Sequence, residues 1–461
     1  MLSPSAIDFF TTLLGKENVY HDKAHLIAYS YDATRERFEP DAVLFPRHEQ
    51  DVSDILRYCN EHRIVIVPRG AGSGFTGGAL PAHGGIVLAF EKHMNKILEI
   101  DMQNMVAIVQ PGVINKDLQK AVEEVGLFYP PDPASQEYST IGGNVNENAG
   151  GMRAAKYGIT KDYVMAIRAV LPNGDIIKAG KRTIKDVAGY NIAGILIASE
   201  GTLAVTTEVT LKLLSKPKMT KTAMGIFPTV SAAMEAVYKT MASGVTPVAM
   251  EFLDNLTIRA VEQVYSKGLP VEAGAILVTD VDGNLEEDLN FQLSVIERVF
   301  RENGCSAFKI AKDKQEASDL WFARRNASQS LSVYGSKKLN EDVTVPRSAL
   351  PALLEKFYAI ADKYAIKIPC FGHTGDGNVH TNVMVDGKDP EQVKIGYKAI
   401  EEVFQATIDL GGTLSGEHGI GLAKAPYMHM AFTPEEMALF QSIKRAFDPN
   451  NILNPAKMGL D

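Results

Sequence analysis

The sequence predicts an α+β protein with more than one domain. Its first half alternates short helical and strand patterns around glycine-rich turns. Residues 220–300 alternate again, in the manner of an antiparallel sheet carrying helices. No internal repeat or low-complexity tract interrupts this. A length of 461 residues suggests roughly three domains of about 150 residues each.

The N-terminal MLSPSAIDFFTTLLGKENV has no basic region, long apolar core or cleavage site, and reads as an amphipathic helix. Val52, Ile55, Leu56 and Cys59 recur at helical spacing after Asp51, the expected N-cap. Residues 64–67, IVIV, read as a buried strand that runs into the loop PRGAGSGFTGG, Pro68 to Gly78. VAIV at 106–109 reads as another strand. Ile114, Leu118, Ala121, Val122 and Val125 mark a helix that Gly126 stops. Pro130 to Val164 reads as one long functional loop, and 199–213 as a tight turn entering a strand. A polar segment with Pro217 marks a domain boundary. Beyond it come helices near 231–242 and 286–303, a strand and turn over 274–283, and a helix near 390–410 ending at Gly411–Gly412.

The formal net charge of −9 argues against a nucleic-acid partner and against charge-driven docking on anionic lipid. No run of 18 apolar residues occurs, so no membrane span is expected. Cys59, Cys305 and Cys370 are too few for an iron–sulfur cluster and are expected as thiols in a reducing, cytoplasmic compartment.

Gly72, Gly74 and Gly77 match the GxGxxG spacing after a strand. A dinucleotide-binding βαβ unit needs a helix to start there, and Pro81 and Gly84–Gly85 break it. What remains is a backbone able to point successive N–H groups at phosphate oxygens, or a plain turn between strands. The second stretch, with its glycine pairs, favours the ligand.

Three motifs in order, PRGAGSGFTGG, PPDPAS…STIGGNVNENAGG…KYGITKDYV and SEGTLAV, resemble the FAD-binding domain of the vanillyl-alcohol-oxidase/p-cresol-methylhydroxylase family over residues 38–215. The resemblance implies a two-part FAD-binding domain with an inserted antiparallel-sheet substrate (cap) domain and a C-terminal helical segment. The expected divisions are 1–37, 38–215, 216–410 and 411–461. It further implies FAD contacts from Arg69, Gly70, Ala71, Gly72, Ser73 and Gly74, the first loop holding the pyrophosphate. Pro131, Asp132, Ser135, Thr140, Gly143, Asn144, Ala149, Gly150, Tyr157 and Gly158 would follow along the second stretch. Glu200 and Gly201 would touch or support the ADP part, with Val205 and Asn454 nearby. The first loop contains no His, so FAD is expected to be noncovalent.

GHTGDGNVHTNVMV carries His373, His380 and Asn382, and SGEHGIG carries Glu417 and His418. Two His and a carboxylate form a common shell for a divalent metal with open positions. His380 and Asn382 would share one face of a strand. A structural role for these His residues is the alternative. In DLWFARRNASQS, Arg324 and Ser328 fall on one helix face, and an Arg fork suits a carboxylate. Arg325 is its rival, and a surface salt bridge the plainer reading.

These segments resemble the D-2-hydroxy-acid dehydrogenase branch of the same flavoproteins, which includes D-lactate dehydrogenases and the glycolate oxidase flavoprotein subunit. The resemblance implies a metal on His373, His380 and Glu417, zinc first and iron or manganese as alternatives. Arg324, Ser328, Asn382 and His418 would face a small D-2-hydroxy acid, with His418 as catalytic base. Lys338, Lys337 or Asn340 stands where relatives place a second carboxylate contact, a departure that weakens the case for a dicarboxylate. Electrons would pass to a quinone, a cytochrome, an electron-transfer flavoprotein or an iron–sulfur subunit. Homodimerisation, and inner-membrane attachment through a partner, stay open. The competing readings are a metallohydrolase using His373, His380 and Glu417, and a noncatalytic electron-transfer subunit.

Overall fold

A computed structural model describes residues 2–460 and shows two compact units. One comprises the chain through Gly150, Ile159–Lys216, and Glu417 onward; the other comprises Gly151–Gly158 and Pro217–Gly416. Lys216 and Pro217 lie on either side of the third of the four points where the chain passes between the units. The N-terminal helix and the C-terminal segment both fold into the first unit.

The first unit holds a sheet with strands in the order Val19–Tyr20, Ala42–Leu44, Ile86–Ala89, Ile66–Arg69. The last three are parallel. Parallel strands are covered on both faces, which is why these read as continuous apolar runs. Phe10 and Leu14 of the helix Pro4–Leu14 pack into one core with Val52, Ile55, Leu56 and Cys59 of Glu49–His62. Val43, Phe45, Val87 and Ala89 form the opposite cluster. The N-cap of Glu49–His62 is His48 rather than Asp51. Asp51 instead accepts the Arg47 backbone N–H at 2.8 Å and its Nε at 3.0 Å. The strand expected at 64–67 runs Ile66–Arg69, so it delivers Arg69 to the mouth of the glycine loop.

An antiparallel sheet completes this unit: Ile97–Asp101, Val106–Val109, Val205–Lys212, Val164–Val170 and Ile176–Gly180. The stretch read as one long loop contains the helix Ile141–Glu147, despite its glycine pair. Glycine disfavours helix by about 1 kcal/mol, but here bulk is excluded. A Cβ on Gly142 would lie 2.6 Å from Pro111 Cβ. The close approach of the helix to the chain at Pro111 requires the glycine that hid the helix.

The second unit is one seven-stranded antiparallel sheet, in the order Ala307–Ile310, Met219–Phe227, Ala275–Gly283, Ala249–Asp254, Cys370–His373, Asn378–Val385, Lys337–Thr344. Asn255–Tyr265 and Lys314–Ser330 pack on one face against Ala249, Leu253, Ile276, Val278 and Phe371. Val230–Ala242 and Glu286–Glu302 pack together elsewhere on this sheet, with Phe227 edge-on to Phe300 at 5.2 Å. These helices, Ala275–Gly283 and Pro390–Asp409 match their predicted spans within two residues. All three cysteines are buried thiols. Among the described residues no helix is long and apolar enough to cross a membrane.

Candidate active site

The glycine loop and the helix Ile141–Glu147 both line a cavity in the first unit. Thr140 caps that helix, its Oγ1 accepting the Gly143 N–H at 3.2 Å. A Cβ on Gly70 would strike this same Oγ1, so the loop lies directly on the helix N-terminus. Gly72 turns the loop at φ 65°, in the left-handed region. Arg69 Nη1, Ser139 Oγ and Asn144 Nδ2 all belong to lining residues, are buried, and have no hydrogen-bond partner. Buried polar atoms are normally satisfied. Three such groups around a helix N-terminus and a Cβ-free loop fit an anionic, polar ligand such as a dinucleotide. Burial pushes the Arg69 guanidinium pKa down, and nearby Asp32 opposes this.

Of the expected cofactor residues, Arg69 to Gly74, Ser135, Thr140, Gly143, Asn144, Ala149, Gly150, Glu200 and Gly201 line this cavity. Pro131, Asp132, Val205 and Asn454 are not among its lining residues. Asn454 Nδ2 donates to Gly78 O at 2.8 Å and Glu200 O at 2.6 Å, bracing the wall. Tyr157 and Gly158 belong to the second unit, where the Tyr157 hydroxyl donates to Asp282 at 2.7 Å. Ser139, Asn146 and Glu147 line the cavity without having been singled out. They sit in the same Asn/Gly-rich stretch, which was the available signal.

Glu200 does something its motif did not reveal. Its carboxylate accepts the backbone N–H of Ile420 at 2.7 Å and of Gly421 at 2.8 Å. Burial raises its pKa, and these two N–H groups, Lys457 and Lys424 oppose the rise. Thr76 Oγ1 donates to His418 O at 3.1 Å, and Thr76 O accepts from Leu422 and Ala423. The segment after His418 is thus clamped from both sides. The Phe75 ring lies 5.3 Å from the His418 ring, and both residues line the cavity.

In the second unit, strand register builds a polar chain. Glu251 lies directly across from His373, and His380 across from Phe371, two residues before His373. Residues two apart on a strand share a face, so all four side chains do. Glu251 Oε2 accepts from Arg324 Nε at 2.6 Å, and Oε1 lies 2.7 Å from His373 Nδ1. His373 Nε2 is 3.2 Å from His380 Nε2. A carboxylate at Nδ1 makes that nitrogen the donor and leaves the Nε2 lone pair available. With Zn–N bonds of about 2.0–2.1 Å, two tetrahedral ligands stand about 3.3 Å apart, so the pair fits a zinc-like ion.

Arg324 also stacks on Phe371, its guanidinium carbon 4.8 Å from the ring centroid. Arg325 bonds back to Ser318 on its own helix and is exposed. Lys338 Nζ donates to Ser328 Oγ at 2.6 Å, whereas Lys337 lies over the Tyr397 ring. Asn382 shares the His380 face opposite Asn340; its Nδ2 donates to Pro369 O and His380 O, and its buried Oδ1 has no partner. Glu251 was missed because it stands in the apolar strand AMEFLD. A carboxylate at a fully buried strand centre was the signal for it.

Residues 216–458 match the family of FAD linked oxidases, C-terminal domain, and residues 40–180 match an FAD binding domain. The chain belongs to the FAD-linked oxidases. The family's relatives include the glycolate oxidase subunit GlcD of Bacillus subtilis (strain 168), 44% identical and aligned over 96% of this chain and 94% of the relative. D-lactate dehydrogenase of Anaerostipes hadrus is 34% identical over 99% of this chain and 98% of its own length. The structure of p-cresol methylhydroxylase with substrate bound aligns with a TM-score of 0.81 and 20% identity, over 99% of this chain and 96% of that one. The fold is that of this flavoprotein group, as the ordered glycine motifs predicted, and the protein is a flavoenzyme.

Proposed function

We propose that this FAD-linked oxidase converts a small D-2-hydroxy acid, D-lactate ahead of glycolate, to the 2-oxo acid. The chain from Arg324 through Glu251 and His373 to His380 carries the reading. It sets a guanidinium that matches a carboxylate beside paired imidazoles suited to the neighbouring hydroxyl oxygen. The named activities of the Bacillus and Anaerostipes relatives both concern such acids, which supports the same class here.

Arg324 fixes the substrate carboxylate through its free edge, with Ser328, Lys338 and Asn382 flanking it. His418 takes the hydroxyl proton. His373, His380 and Glu417 hold a divalent ion, zinc ahead of iron or manganese. Glu417 directly follows Gly416, whose N–H donates to Asp342, the cross-strand neighbour of His380; this supports it as third ligand. Bound FAD supplies the acceptor for the carbon-bound hydrogen and its electron pair, and the bound ion supplies Lewis acidity. FAD is held noncovalently, there being no His between Pro68 and Gly78. Three cysteines cannot ligate a cluster, so the electrons leave to a quinone, a cytochrome, an electron-transfer flavoprotein or an iron–sulfur subunit.

Anaerobic mixing with D-lactate, L-lactate, glycolate and D-2-hydroxyglutarate, with and without chelator, tests this. D-lactate and glycolate should bleach the flavin, and chelator should slow them. Bleaching by L-lactate alone would overturn the stereochemistry, and no bleaching by any acid would favour a noncatalytic subunit.

A further inference from the structure

We infer that Glu251 is a positioning residue that ties the carboxylate-binding arginine to the metal-binding imidazole, so that the two sites are set together. The inference rests on the proposed roles of Arg324 and His373. Glu251 is fully buried, in the middle of the strand Ala249–Asp254. A carboxylate there is costly unless both oxygens are engaged. They are: Oε2 accepts from Arg324 Nε at 2.6 Å, and Oε1 meets His373 Nδ1 at 2.7 Å.

Each bond selects one state of its partner. With Nδ1–H directed at Oε1, His373 presents an unprotonated Nε2 toward His380, the form a cation requires. With Nε directed at Oε2 and the guanidinium stacked on Phe371, the Arg324 fork has its orientation set. Cross-strand register puts Glu251 beside His373, and Phe371 pairs with Leu253 two residues on. One side chain therefore reaches both groups from a rigid sheet.

Gln has the same shape but one acceptor and one donor, so it cannot accept from both neighbours. Its NH2 must face either His373 Nδ1, which moves the imidazole proton to Nε2, or Arg324 Nε–H. The test uses FAD-loaded protein stripped of metal and titrated with cobalt(II), read by its absorption spectrum, alongside steady-state KM for D-lactate. Glu251→Gln should weaken cobalt binding about 10–100-fold and raise KM, with FAD content unchanged. Arg324→Lys should also weaken cobalt binding several-fold, although Arg324 is no ligand. Glu251→Asp, which keeps the charge but is too short to reach both partners, should fail on at least one readout.

Folded Glu251→Gln protein that binds cobalt as wild type does, with unchanged KM, overturns this inference alone. Should Glu251→Gln fail to fold, Arg324→Lys decides: unchanged cobalt affinity overturns the coupling. Wild-type protein that binds no cobalt overturns the metal reading, and this inference with it.

Discussion

The Nε2 atoms of His373 and His380 face each other across 3.2 Å, both rings buried. Two lone pairs so placed repel unless a proton or a cation lies between them. Chelation should therefore slow flavin reduction by D-lactate at least roughly 100-fold, and zinc should restore it. His380→Ala should abolish metal retention while FAD stays bound. Stopped-flow absorbance and elemental analysis read the two effects, and full activity of metal-free protein would remove the metal from the reaction.

Arg324→Lys replaces a planar fork by a point charge. An ammonium cannot hold the Glu251 carboxylate and a substrate carboxylate in the fixed geometry of the fork. A charge-assisted hydrogen bond is worth about 1.5–3 kcal/mol, so KM should rise roughly 10–100-fold. Steady-state kinetics with D-lactate check this, and Arg325→Lys, on an exposed residue, should leave KM as it is.

Glu200→Gln sets an amide N–H against the N–H of Ile420 or Gly421. That loop follows His418, so flavin reduction should slow about tenfold with FAD retained. The unpaired buried donor should cost about 1–3 kcal/mol of stability. Lower thermal stability with wild-type reduction would show that Glu200 supports the fold and not the base.

Gly70 and Gly74 should separate folding from cofactor binding. A Cβ at Gly70 meets Thr140 Oγ1, whereas one at Gly74 meets nothing within 4 Å, in a cavity both residues line. Gly70→Ala should lose both stability and FAD. Gly74→Ala should leave the apoprotein's unfolding temperature unchanged and weaken FAD binding at least roughly tenfold, about 1.4 kcal/mol. Flavin fluorescence titration reads the affinity.

Asp254 supplies a pH dependence. Burial raises its carboxyl pKa from 3.8 to about 6, against the N–H of Thr257 and Cys370. The folded state thus holds this proton more tightly than the unfolded chain does. Its stabilising contribution is complete below about pH 4 and is lost as pH rises through about 6, at most about 3 kcal/mol. Urea unfolding at pH 4.5 and 7.5 should show Asp254→Asn gaining on wild type at the higher pH. An unchanged difference would mean that Asp254 does not titrate there.

Local sequence made some features legible and hid others. The strand ahead of the glycine loop, the helix Val230–Ala242 and the glycine loop itself show in patterning, because burial on one or two faces writes itself into apolar period. The helix Ile141–Glu147 did not, because Gly142 serves a neighbour and not the helix. His48 took the cap from Asp51 for a similar reason: Arg47 claims the Asp51 carboxylate.

Residue types and the order of the motifs singled out the glycine loop, the His pair and Arg324 as candidates, since phosphate, metal and carboxylate each demand a narrow chemistry. Only tertiary structure decided which groups meet. Glu251 lies 122 residues from His373 and 73 from Arg324, and Glu200 lies 220 residues from Ile420. Such partners are joined by sheet register and chain return, and no local spacing encodes either.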